Sequence, residues 1–282
     1  MKPETARSLL DAWKETARFW TRHRHTIRTM FAPLTVALIE RAQIHEGQRV
    51  LDIAGGAGEP SLTIAGLIAP TGSVTYTDAV AEMMEAAQSE AKERGLTNVE
   101  FFQCTGDSLP FPDNSFDVVV CRLGVMLFPD PLSALREMLR VLKPEGRVAL
   151  AVWHKSELNP FCYVITDIMD RHLAPVATDP EAPGAFRFAA AGKLSQMMKE
   201  AGASEAEESV LRFDIAAPLT KGEFWDMRSQ TSDTLREKLA RLSADERSEI
   251  AAEIEAALQE FFPSNQMKFP AQMIVASGSK PA

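Results

Sequence analysis

Val50-Leu51-Asp52-Ile53-Ala54-Gly55-Gly56-Ala57-Gly58 decides the fold of this chain. An apolar run closes on a glycine cluster and passes into the helical pattern Ser61-Leu62-Thr63-Ile64-Ala65. That order predicts a buried strand, a tight turn and a helix start. Glycines let the backbone turn sharply and come close to a ligand, and a helix start offers free N–H groups. On an open parallel sheet such a turn lies in the crevice at the carboxyl ends of the strands, where ligands bind. An ordinary strand-to-helix connection has the same local look, so the flanking pattern must decide.

Outward from that turn, strands and helices alternate. The strand Ser73–Thr77 leads to Asp78 and a helix over about 81–94 with Gly95 as its stop. Val99–Gln103 leads to a loop around Asp107-Ser108. Phe116–Cys121 is apolar throughout, as a strand covered on both faces must be. A helix over about 131–142 ends in the turn Lys143-Pro144-Glu145-Gly146, and Arg147–Trp153 follows as a strand. The alternation predicts an α/β fold with a doubly wound parallel sheet.

The flanks are read as additions to that core at 46–155. Residues from about 8 to 42 carry helical apolar spacing broken at Pro33, giving an N-terminal helical cap over 1–45. Residues 156–190 have a looser pattern, rich in Pro, Ala and Asp over 156–185, and read as an insertion over the ligand-bearing edge. Lys193–Ala201 is a helix stopped by Gly202, and Ser209–Ile215 a strand. The capping boxes Thr220-x-x-Glu223 and Ser243-x-x-Glu246 predict a helical pair over about 221–262, and Ala271–Ser277 a last strand. All of 1–282 is expected to form a single domain.

Composition excludes several classes. The 282 residues carry a formal net charge of -9, which argues against a protein that grips a nucleic-acid backbone. The basic cluster Arg22-His23-Arg24-His25 with Arg28 reads as a solvated helix face. Cys104, Cys121 and Cys162 show neither metal-ligand spacing nor a disulfide framework, so no metal is expected and a reducing cytoplasm fits. No apolar run is long enough to span a bilayer, and the start is too polar for a signal peptide. A cytoplasmic monomer or homodimer is the expectation.

Two cofactor classes place glycines after the first strand and an acid after the second. A dinucleotide needs G-x-G-x-x-G, with its pyrophosphate on the helix start. No glycine stands three past Gly58, and Glu59 would bring negative charge to the phosphate position. A ligand without phosphates, bearing a sulfonium, an amine and a carboxylate, is more compatible.

At this point the chain resembles the class I S-adenosylmethionine-dependent methyltransferases, in the branch similar to the ubiquinone/menaquinone biosynthesis enzymes. The resemblance covers roughly 46–153. Four segments in order carry it: Val50–Gly58, Asp78 with Met83-Met84, Gly106–Asp117, and Leu139–Gly146. It implies a Rossmann-like, seven-stranded, mostly parallel sheet whose last strand is antiparallel. It also implies roles for residues. Asp78, with Ala79 and Met83 beside it, would take the ribose hydroxyls. Asp107, with Gly106 and the Ser108 N–H, would take the adenine. Asp52 and the turn Ala54, Gly55, Gly56 and Gly58 would hold the methionine part, with Cys121, Arg122 and Leu123 under it. The family usually has glycine where Ala54 stands. The added methyl group predicts a negative φ there, with Gly55 supplying the missing freedom.

The implied reaction is methyl transfer from S-adenosylmethionine to oxygen or carbon of a small apolar or aromatic acceptor. Such a displacement depends mainly on positioning and exclusion of water, and an O–H acceptor gains from a general base. His154, directly after the fifth strand, is the candidate base, with His23 and His25 as more remote ones. Trp20, Met126, Phe128, Trp153, Phe161 and Trp225 are candidate pocket walls, or equally core. A protein that binds S-adenosylmethionine without methylating shares all these residues. A nicotinamide oxidoreductase shares some of them.

Overall fold

The computed structural model describes residues 3–174 and 179–282, with side chains from Leu10 onward. Three helices come first: α1 (Pro3–Arg22), α2 (Arg24–Met30) and α3 (Ala32–Ala42). Pro33 sits in the first turn of α3, where its missing N–H costs nothing. The α/β core then runs β1 (Arg49–Ile53), α4 (Ser61–Ile68), β2 (Ser73–Asp78), α5 (Ala81–Glu93), β3 (Val99–Gln103), β4 (Phe116–Arg122), α6 (Pro131–Val141) and β5 (Leu142–Trp153). After it come α7 (Pro160–His172), α8 (Lys193–Ala201), β6 (Ser204–Ala217), α9 (Lys221–Thr231), α10 (Asp233–Arg241), α11 (Ala244–Leu258) and β7 (Met267–Ser279).

The seven strands form one sheet in the order β3-β2-β1-β4-β5-β7-β6. β1 to β5 are parallel, and β7 is antiparallel to both β5 and β6. The strand order reverses between β1 and β4, so the glycine turn after β1 stands at the topological switch point. β1 and β4 are central and their middles read as apolar runs because both faces are covered there: Val50, Leu51, Val119, Val120 and Cys121 are fully buried. Among the described residues no helix is long and apolar enough to cross a membrane.

Three local expectations are corrected. The Lys143–Gly146 turn is absorbed into β5 as an irregularity, with Leu142 opposite Phe116 and Arg147 opposite Val118. Its backbone stays satisfied because Glu145 N–H donates to Lys280 C=O and Lys280 N–H to Gly146 C=O. The loose stretch 156–185, of which 175–178 lie outside the described residues, contains α7. Phe161, Val164, Ile165, Ile168 and Met169 face inward there at helical spacing. The pair of helices over 221–262 is three, because Ser232 accepts from the Leu235 N–H and starts α10. Both capping boxes form as expected.

Candidate cofactor and acceptor site

Parallel strands bring their carboxyl ends to one edge, so Asp52–Gly58, Asp78–Ala79, Gly106–Ser108, Arg122–Leu123 and His154 gather there from β1 to β5. The turn after β1 is held from within. Ala54 has φ +59°, Gly56 +55° and Gly58 +114°. The expected negative φ at Ala54 is therefore wrong. The reason lies at Gly124, where a β-carbon would stand 2.8 Å from that of Ala54. Absence of a side chain at Gly124 makes room for the Ala54 methyl group, and the left-handed residue costs about 1 kcal/mol. Gly55 serves another purpose: any β-carbon there would come within 2.4 Å of the Tyr76 ring.

Asp52 is fully buried, and its Oδ2 accepts from Ser61 N–H (3.1 Å) and Oγ–H (2.6 Å). It thus caps α4 from the strand, since the residue at the cap position, Pro60, has no side-chain acceptor. Its Oδ1 is buried with no partner. Burial pushes this carboxyl up to about 7, against the Ser61 bonds and the Arg122 charge. Asp78 accepts from Gly56 N–H (2.9 Å) and Val80 N–H (2.9 Å), and burial raises its carboxyl too. These bonds explain why the turn suits a phosphate-free ligand. The Ser61 and Gly56 N–H groups that a pyrophosphate would need are already taken by carboxylates. Glu59, by contrast, does not face the turn: Arg94 (2.7 Å) and Thr63 (2.6 Å) hold its carboxylate.

The remaining expected residues fall into two groups. Asp107 and Ser108 are exposed beyond β3, and the Ser108 N–H makes a 3.3 Å turn bond to Thr105 C=O. Gly106 lacks a side chain where a β-carbon would stand 2.9 Å from Phe128. Met83 is buried, and with Val80 it lies under Leu10, Trp13, Ala17 and Trp20 of α1. Cys121 is fully buried and its thiol is pushed well up by that burial, so it is inert filler. Leu123, at φ +63°, donates its N–H to Ala151 C=O. Arg122 donates to Glu59 C=O (3.1 Å) and Thr35 Oγ1 (2.8 Å), bracing the turn against α3.

His154 is half-buried, and its Nδ1 lies 3.0 Å from Ala189 C=O. A carbonyl only accepts, so Nδ1 carries the proton and Nε2 is left as the acceptor. His23 instead reaches Gln230 (3.0 Å) on α9. Within the basic cluster, Arg24 pairs with buried Glu90 of α5 at 2.6 Å rather than facing water, with the more exposed Arg28 and His25 within 4 Å of it. Trp153, Phe161 and Met126 are buried, and Phe31 meets both rings edge-on. Tyr76 was missed by sequence reasoning. Its hydroxyl donates to Gly56 C=O at 2.5 Å. The available signal was the alternation of β2, which puts Val74, Tyr76 and Asp78 on one face.

A doubly wound sheet with β7 antiparallel, and carboxylates gripping a left-handed turn at its switch point, defines the Rossmann-like methyltransferase class. The model of the ubiE/COQ5 methyltransferase family matches residues 35–220, and the chain belongs to that family. The ubiquinone/menaquinone biosynthesis C-methyltransferase UbiE of Ectopseudomonas mendocina is 38% identical over 140 residues, 49% of this chain and 54% of the relative. The match thus spans about half of that relative's length. UbiE of Hahella chejuensis is 34% identical over 178 residues, 58% of this chain and 70% of the relative. Among solved structures, the YcgJ protein of Bacillus subtilis superposes with a TM-score of 0.58 at 24% identity, covering 88% of this chain and 98% of the other. That likeness shows the fold.

Proposed function

We propose that this chain transfers a methyl group from S-adenosylmethionine to oxygen or carbon of a small apolar or aromatic acceptor. The observation that carries the reading is the glycine turn at the switch point. Gly56 N–H is bonded to Asp78, and Ser61 N–H, where the turn enters α4, to Asp52, which sets two carboxyl groups around the turn and suits it to a cation-bearing ligand. The fit extends to single atoms. Asp52 Oδ1 is a buried acceptor without a donor, and a β-carbon at Gly56 would meet nothing within 4 Å, so this part of the turn is an open cradle.

S-adenosylmethionine would supply an activated methyl carbon whose bond to sulfur breaks as the acceptor's lone pair bonds to it. Asp78 would orient the ribose through oxygens that each keep a free lone pair. Asp107 would take the adenine amino group, and Asp52 with the 54–58 turn the methionine ammonium. α1, over Val80 and Met83, would exclude water from the donor, which such a displacement needs. His154 Nε2 would accept the acceptor's proton, its tautomer set by Ala189.

Calorimetric titration with S-adenosylmethionine, S-adenosylhomocysteine and NAD tests the reading. Micromolar binding of the two adenosyl ligands is expected, weakened on the order of 100-fold in Asp78→Ala, as loss of charged hydrogen bonds predicts. Binding of NAD alone overturns the proposal.

A further inference from the structure

Arg228, on α9, stands apart from the other arginines in the described residues whose Nε is buried. Its Nε is sealed from solvent with no partner. Arg122, Arg147 and Arg187 also have a buried Nε, yet each donates elsewhere: to Glu59 C=O and Thr35 Oγ1, to Arg41 C=O and Ser277 Oγ, and to Phe128 C=O. Among the described residues the Arg228 guanidinium makes no hydrogen bond and pairs with no carboxylate. It lies over the Phe161 ring, 4.6 Å from the centroid, and its titratable neighbour is the Cys162 thiol. Burial pushes that thiol up to about 12, so it stays neutral and gives no counter-charge. A guanidinium desolvated at Nε, whose Nη1 and Nη2 edge reaches the surface without a protein partner, is placed to receive an anion there.

Its place in the fold says where that ligand comes from. Phe161 stacks on Trp153 at 6.2 Å and 13°, and Trp153 immediately precedes His154 at the end of β5. Phe31, edge-on to both rings, lies one helical turn before Thr35, which holds Arg122 against the cofactor turn. A chain of contacts therefore leads from the β1 turn through Arg122 and Thr35 to Phe31, and through the Phe161 ring to Arg228. Phe161 covers one face of the guanidinium, so a partner must meet its N–H edge in the plane, the geometry that fits a carboxylate. A phosphate dianion would need a second cation, and Arg228 has none near it among the described residues.

Building on the methyl-transfer reading, we propose that the acceptor is an aromatic ring bearing a carboxylate, which Arg228 binds through its N–H edge. The ring lies along the Trp153–Phe161 wall and the reacting atom points toward the donor. Arg228 then selects substrate by charge, a role separate from proton transfer at His154.

The test uses protein saturated with S-adenosylhomocysteine, titrated with 4-hydroxybenzoate and with its methyl ester. Wild type is expected to bind the acid at least tenfold more tightly than the ester. Arg228→Met should abolish that preference and Arg228→Lys keep part of it, with S-adenosylhomocysteine affinity unchanged in both. The melting temperature of unliganded Arg228→Met should equal or exceed that of wild type, because an unpaired, partly desolvated charge has been removed. Equal binding of acid and ester, no binding of the acid, a preference that survives in Arg228→Met, or a lowered melting temperature overturns the assignment. Failure of wild type to bind S-adenosylhomocysteine would instead defeat the methyl-transfer reading.

Discussion

The two ends of the strand edge are built by different means. At the turn after β1, short-range bonds hold the backbone: Asp52 to Ser61, nine residues on, Tyr76 to Gly56 and Asp78 to Gly56 across about one βαβ unit. At the aromatic wall, side chains do the work, and Phe31, the neighbouring Trp153 and Phe161, and Arg228 come from three distant segments. The donor end is thus fixed by main-chain conformation, which tolerates few residue types at each step. The proposed acceptor end is fixed by packing, which many side chains satisfy, so it is free to vary with the substrate.

The largest effect that would test this contrast comes from Gly55. Gly55→Val drives a side chain into the Tyr76 ring and should lower stability by about 4 kcal/mol or more, with loss of adenosyl-ligand binding. Urea unfolding measures it. A loss below about 1 kcal/mol would mean the turn is not pinned against β2.

Next comes Asp52. Its folded carboxyl titrates at about 7 against an unfolded value of 3.8, so the folded chain holds a proton that the unfolded chain has given up between those values. Its contribution to stability is complete below about pH 4 and drains away as pH rises through 7. Asp52→Asn keeps an acceptor for Ser61 and should remove this slope, a difference of about 4 kcal/mol across the window. Melting curves between pH 4 and 8 report it, and parallel profiles in the two proteins would contradict it.

Tyr76→Phe deletes the bond to Gly56 C=O and should cost about 1 kcal/mol, with S-adenosylhomocysteine affinity weakened a few-fold and acceptor affinity unchanged. An equal loss for donor and acceptor would blur the division between the two ends. Smallest is Ala54→Gly. It relieves about 1 kcal/mol of left-handed strain but gives the unfolded chain more freedom, so the net change stays below about 0.5 kcal/mol in denaturant titration.

The same contrast explains what the sequence discloses. β4 is legible because burial on both faces demands an apolar run such as Val118–Cys121, β1 and β2 because their strands end in a glycine turn and an acid, and Gly95 and Gly202 mark helix ends at φ +68° and +109°. Asp78 is legible as the acid ending β2. Ala54 misleads because its conformation is permitted by Gly124, seventy residues away, which no local pattern reveals. α7 was hidden by the Pro- and Ala-rich stretch after it. Arg228 was invisible, since a lone arginine on an amphipathic helix declares nothing until its neighbours are known.

One feature of the sheet bears on how the chain comes to be folded at all. β7 lies between β5 and β6, bonding to β6 along almost its whole length and to β5 over Met273–Ser279. As the chain leaves the ribosome, β1 to β5 can pair in turn, while β6 emerges with no strand to join. Helices α9 to α11 must then be made before β7 slots in as the keystone. Every residue assigned to the cofactor precedes Trp153, yet the surface of β5 that faces β7 stays bare until the last strand is synthesised. The half of the molecule that names its chemistry thus waits, in order of assembly, on the half that does not.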